Sequence, residues 1–142
     1  MKLAVPYYQQ QDSCSCVPTV LSMVLDYHKI AHAKLAQILK TDKHGTPLRN
    51  AWAFMRSKGF RVSRIGIKET VKQIDQGNPV HVSYMDDTND WHTSLIVGYR
   101  KKCNTLIFEL NDPFYGQIEL GSGMLKLMKC TYNKIEPNPK LG

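Results

Sequence analysis

Residues 9–18, Gln-Gln-Gln-Asp-Ser-Cys-Ser-Cys-Val-Pro, run straight into the apolar stretch 19–27, and this junction constrains the chain more than any other part of it. Pro18 suits the first turn of a helix, because the N–H it lacks would have had no partner there. Beyond it Val20, Val24 and Tyr27 recur at helical spacing, as do Leu21, Leu25 and His28, which predicts a buried helix over residues 17–28. Cys16 is thereby set at the start of that helix, where unpaired N–H groups and the macrodipole favour an anion. The thiolate is the reactive form of cysteine, so this placement makes Cys16 a candidate nucleophile.

A thiolate acting on a carbonyl needs a proton-transfer partner and donors for the oxyanion it creates. Gln10, six residues before Cys16, can supply an amide N–H, although Gln9 and Gln11 flank it and spacing alone separates the three. Cys14 is the rival nucleophile, but it lies two residues before the helix and lacks both the dipole and that spacing. Cys14-Ser15-Cys16 is not zinc-knuckle spacing, and no histidine pair completes a standard site, so no metal is expected. Cys103 and Cys130 read as small buried or half-buried residues.

Taken in order, residues 3–8 form an extended lead-in, and a second helix covers 33–39 with Leu35, Ile38 and Leu39 inward. Thr46 and Pro47 read as cap and first turn of a third helix, with Leu48, Trp52 and Met55 as its apolar stripe and Gly59 as its end. After Gly59 the period changes. Residues 60–67 read as a strand, 69–76 as a short helix, and 80–84 as a half-buried strand with His81 facing out or half-buried. Residues 85–90 are a polar loop, 92–99 a central strand, 101–104 a turn, and 106–110 the returning strand. A short strand at 118–120 and a last helix at 124–128 precede a loose tail over 137–142, which leaves residues 1–136 as one domain. Helices first and antiparallel strands after predict an α+β fold, with N-terminal helices packed on a C-terminal antiparallel sheet.

This hairpin supplies the missing partner. With its turn at 101–104, His92 lies nearly opposite Asp112 or Pro113, at the same end of two neighbouring strands. Cross-strand neighbours are within reach of a His–carboxylate hydrogen bond, and an imidazole held by a carboxylate is what a thiol nucleophile requires. Asn111 is an alternative to Asp112, since an amide can also orient imidazole.

Four short motifs in order now resemble the bacteriocin-processing peptidases: Val5-Pro6-Tyr7-Tyr8-Gln9-Gln10, Cys16-Val17-Pro18 with Met23-Val24-Leu25, Trp91-His92-Thr93-Ser94-Leu95, and Asn111-Asp112-Pro113 with Gly116. These are papain-like cysteine peptidases that cut leader peptides after a double glycine, often as the N-terminal domain of an export transporter. The resemblance implies a papain-like fold, a Cys16–His92–Asp112 triad, Gln10 in the oxyanion hole, and a substrate contact for Val17 and Trp91. It implies a leader-peptide substrate, an export transporter as partner, and no cofactor. One departure stands out, since the family usually has glycine after the nucleophile and this chain has Val17.

Two other function classes compete. Relatives that have lost the nucleophile serve as docking domains for exported substrates, and Val17 leaves room for such a weakened, peptide-binding domain. The net charge of +7 admits nucleic acid, yet the basic residues are scattered and no nucleic-acid motif accompanies them, so no nucleic-acid partner is expected. No stretch approaches the ~18 apolar residues of a membrane span. Residues 1–6 carry no signal-peptide core, so a cytoplasmic chain with reduced thiols is expected.

Overall fold

The apolar positions after Pro18 form helix α1 (Cys16–Tyr27), whose Val20, Leu21, Met23, Val24 and Leu25 are wholly buried. Truncating any one of these to alanine should cost about 2–4 kcal/mol, from lost burial and the cavity left behind. The computed structural model describes residues 1–85 and 90–139, so the middle of the expected polar loop (86–89) and the last three residues of the expected tail lie outside the described residues.

Helix α2 (Leu35–Ile38) is a single turn, shorter than periodicity suggested, because Lys34 before it and Lys40 after it hold left-handed backbone. Helix α3 (Leu48–Ser57) is capped by the extended backbone of Pro47. Thr46, the expected cap, spends its hydroxyl instead on Thr41 Oγ1 at 2.6 Å. Gly59 ends that segment with a φ of +95°, a conformation that favours glycine.

The second half contributes β1 (Phe60–Ile65), α4 (Ile67–Asp75), β2 (Val80–Met85), β3 (Trp91–Lys102), β4 (Thr105–Asp112), β5 (Gly116–Gly121), α5 (Ser122–Leu127) and β6 (Thr131–Pro137). They make one antiparallel sheet in the order β1-β6-β2-β3-β4-β5. Strand β6, which hydrophobic alternation did not reveal, fills the gap between β1 and β2. Helices first and strands after hold as expected, and both faces of the sheet are covered. On one face α1 and α3 bury Val24, Met55, Leu95 and Val97, while on the other α4 and α5 bury Ile74, Leu125, Ile96, Phe108 and Leu110. His81 is therefore not outward. It is fully buried, edge-on to Trp52 of α3 at 4.8 Å between ring centres, and burial pushes its pKa down to about 3.

The β3–β4 hairpin turns on Cys103 and Asn104, both with positive φ, the conformation a two-residue hairpin turn demands. Next to the turn Lys102 pairs with Thr105 and Gly98 with Glu109, but a bulge at Val97 shifts the ladder, so that Ile96 pairs with Leu110 and Leu95 with Asn111. A shift of one residue reverses which side chains share a face. Had the turn-proximal register continued, Leu95 would oppose Asp112 and His92 would point away from it. With the bulge, His92 and Asp112 lie on the same face.

Gly98 sits beside the bulge for a second reason. The N-terminal lead-in crosses β3 there, with Leu3 N–H on Val97 O at 2.8 Å and Tyr99 N–H on Met1 O at 2.9 Å. A Cβ on Gly98 would meet Glu109 Oε2, Met1 O at 2.7 Å and Lys2 Cα at 2.9 Å, so the crossing needs glycine.

Candidate active site

Cys16 is the first residue of α1, behind Ser15, whose side chain makes no capping hydrogen bond. The approach to it is shaped by Asp12, whose carboxylate accepts the Cys14 N–H at 2.8 Å. The same loop carries Gln10. Its backbone N–H bonds Pro113 O at 2.8 Å, and its side-chain Nε2 donates to Asp12 O at 2.6 Å. An amide has two N–H donors, so one is left for a ligand. Gln10 Oε1 is buried with no hydrogen-bond partner among the described residues.

From the far end of the sequence, β3 and β4 bring in His92 and Asp112. His92 Nε2 lies 2.9 Å from Oδ1 and 3.0 Å from Oδ2 of Asp112, which is wholly buried. The backbone N–H groups of Phe114 and Tyr115 each donate to Oδ1 at 2.9 Å, and the Tyr84 hydroxyl donates to Oδ2 at 3.0 Å. Burial alone would raise the Asp112 pKa, but His92 and these backbone donors outweigh it and lower it. For His92, burial works against the charged form, yet hydrogen bonds to Asp112 and to Cys16, with the charges of both, push its pKa up to about 9. Since Nε2 is committed to Asp112, Nδ1 is the nitrogen left for the thiol.

These groups open on one cleft of about 550 Å³, whose lining includes Gln10, Cys14, Cys16, Trp91 and His92. Trp91 (64% exposed), Phe114 and Tyr115 (57% each) give it an aromatic rim, and Lys43 and His44 also line it. Val17 is not brought to this cleft. Its side chain is 4% exposed and packs in the core with Val20 and Leu95. The physical reason is helical geometry, since consecutive residues point about 100° apart and Cys16 takes the open side. Asn111, the alternative to Asp112, is buried and turns its amide toward Val5 O.

Several site residues escaped the sequence reading. Tyr84 read only as a strand residue, and Lys43, His44, Phe114 and Tyr115 were not singled out at all. Tyr7, in the lead-in, donates its hydroxyl to Asp112 O at 2.8 Å. Among the described residues no three His, Cys, Asp or Glu side chains converge as metal ligands would, and no helix is long and apolar enough to cross a membrane.

Comparison with known proteins bears on the family and the fold. A family model described as Peptidase_C39 like family matches residues 2–135. A search of curated protein sequences finds no significant match. Among solved structures, the peptidase domain of Streptococcus ComA, a bi-functional ABC transporter involved in a quorum-sensing pathway, aligns with a TM-score of 0.72 at 20% identity, over 93% of this chain and 98% of that one. A double glycine motif protease from an AMS/PCAT transporter, solved in complex with the leader peptide, aligns at 0.67 with 17% identity, over 96% of this chain and 94% of that one. The Streptococcus mutans ComA peptidase domain aligns at 0.67 with 18% identity, over 92% and 98%. The fold they share with this chain is papain-like.

Proposed function

The chain belongs to the peptidase C39-like family, and from that premise we propose that it is a cysteine peptidase with Cys16, His92 and Asp112 as its triad. The observation that carries the reading is that His92, held by the buried Asp112, opens on the same cleft as a thiol at a helix start.

His92 takes the Cys16 proton, and Sγ attacks the carbonyl carbon of the scissile peptide bond. The resulting oxyanion is held by the free N–H of Gln10 and by the backbone N–H of Cys16, which the helix start leaves without an intrahelical partner. The C–N bond then breaks, His92 gives its proton to the departing amine, and a thioester remains on Cys16. Water, deprotonated by His92, attacks the thioester and releases the carboxylate product and the free thiol. Asp112 keeps the imidazole aligned throughout.

The likeness to a double glycine protease solved with its leader peptide supports a leader peptide as substrate, cut after a Gly-Gly-like site, with an export transporter as partner in the cytoplasm. The aromatic rim, Trp91 above all, suits the apolar side chains of such a peptide. Neither a cofactor nor nucleic acid enters this scheme.

One observation favours a second reading, a weakened domain that binds peptides for export without cutting them. Gln10 Nε2 already donates to Asp12 O, which commits one of its two N–H donors. Incubation with synthetic leader peptides, followed by mass spectrometry, separates the two. The peptidase reading expects one cut after the small-residue pair, lost in Cys16→Ala and His92→Ala and reduced at least about 100-fold in Asp112→Asn. Tight binding with no product, equal in wild type and Cys16→Ala, would support the second reading.

A further inference from the structure

Tyr84 sits near the end of β2, directly opposite His92 in the β2–β3 ladder. Its ring is 5% exposed and lies edge-on to the imidazole, with ring centres 5.5 Å apart and planes at 72°. From there its hydroxyl reaches across the end of β3 to Asp112 on β4. The two carboxylate oxygens are unequally served. Oδ1 accepts two backbone N–H groups as well as the imidazole, whereas Oδ2 accepts the Tyr84 hydroxyl and the same imidazole N–H.

We propose that Tyr84 is a positioning residue of the catalytic pair, which fixes Asp112 through Oδ2, holds the plane of His92 through its ring, and limits how strongly Asp112 draws a proton onto the imidazole. The inference rests on the peptidase reading for its kinetic consequence but not for its physical one. A carboxylate that spends part of its charge on a phenol has less to offer the imidazolium. Remove the hydroxyl, and Oδ2 turns wholly to His92, which becomes more basic. A more basic imidazolium is a poorer acid toward the departing amine.

The donor is dependable. Burial, then the Asp112 charge and hydrogen bond, hold the phenol far above its ordinary pKa, so it stays protonated wherever the site works. Among the described residues, the other titratable groups around the pair include Cys16 from α1, Tyr115 from the turn after β4, Tyr7 from the lead-in and Cys130 beside Tyr84 ahead of β6, while Cys14, Lys43, His44 and Asp90 line the cleft on which His92 opens. None of these donates a side-chain hydrogen bond to Oδ2 among the described residues, which sets Tyr84 apart.

Tyr84→Phe keeps the ring and deletes the hydroxyl. An NMR titration of the His92 imidazole, which needs no substrate, should move its midpoint upward by about half to one pH unit. On a cleaved peptide, kcat should fall about 5–20-fold with KM changed less than about two-fold, as for an interaction that matters in the transition state. Replacing Tyr84 by 3-fluorotyrosine, which preserves the fold and strengthens the donor, should move the midpoint down. Tyr99→Phe, remote from the site on Asp75, should move neither quantity. A midpoint that stays put in both Tyr84 variants, or a folded Tyr84→Phe protein with wild-type kcat, overturns the proposal. If the midpoint moves as expected yet no peptide is cut, Tyr84 keeps its role and the peptidase reading fails.

Discussion

One N–H of His92 is shared between both carboxylate oxygens of Asp112, at 2.9 and 3.0 Å, so the ring is held by a fork rather than a single contact. A forked, buried pair also couples the site to the stability of the fold.

The first prediction follows from that coupling. His92 has an ordinary pKa of 6.5 and is pushed up to about 9 in the folded chain. Its contribution is therefore complete below about pH 6.5 and fades as the pH rises through 9, because the folded chain holds a proton that the unfolded one has released. Asp112 runs the other way, contributing above its ordinary value of 3.8 and losing that contribution as acid is added. Urea unfolding at pH 6, 7.5 and 9 should show stability falling by a few kcal/mol across the series. A His92→Gln chain whose curve falls just as steeply would show that the loss arises elsewhere.

Alkylation tests the choice of nucleophile. Iodoacetamide at neutral pH should label Cys16 first, since it meets the imidazole, ahead of Cys14, whose thiol donates to Lys43 O at 3.2 Å. Cys130 should be last, because burial pushes its thiol up to about 11. Peptide mapping that finds Cys14 labelled ahead of Cys16 would move the nucleophile two residues upstream.

Gly98→Ala should destabilise the fold by about 1–3 kcal/mol, because a methyl group there meets the backbone of Met1 and Lys2. Thermal unfolding reads the loss directly. An unchanged melting temperature would mean that the lead-in can leave β3 at no cost.

Val17→Gly tests the departure from the family pattern. Because its side chain is in the core, the substitution should cost about 2–4 kcal/mol, from lost burial and a glycine inside the first helical turn. The choice among Gly-Gly, Gly-Ala and bulkier cut sites should stay as it was. A folded variant with broadened choice would return Val17 to the cleft.

Helices α1 and α3 were legible because they carry apolar residues at a period near 3.6, although Ile38 and Leu48, read as inward, are exposed, and the alternation in β2 and β4 was equally plain. Strand β6 was not, since Tyr132 and Ile135, its main apolar anchors, are three apart and break the period of two. The hairpin reading brought His92 and Asp112 to the same end but could not choose between positions 112 and 113. That choice depends on the bulge at Val97, for which the isolated glycine inside the strand, Gly98, was the available signal. Tyr84 had no local signature at all, because a hydroxyl that crosses one strand to reach another is a product of register. Val17 was legible in principle, since it adjoins Cys16 on a helix and cannot share its face.

The bond from Tyr7 to the Asp112 carbonyl spans 105 positions, and Gln10 is tied by its backbone to Pro113. Synthesis at ~5–20 residues per second delivers Cys16 seconds before Asp112 exists. Through that interval the thiol has neither its imidazole nor its anchored glutamine. Completion of the sheet is therefore the step that brings the thiol, the imidazole and the glutamine together. A chain cut before β3 should accordingly alkylate at Cys16 no faster than at Cys14, and only the full sheet should separate the two rates.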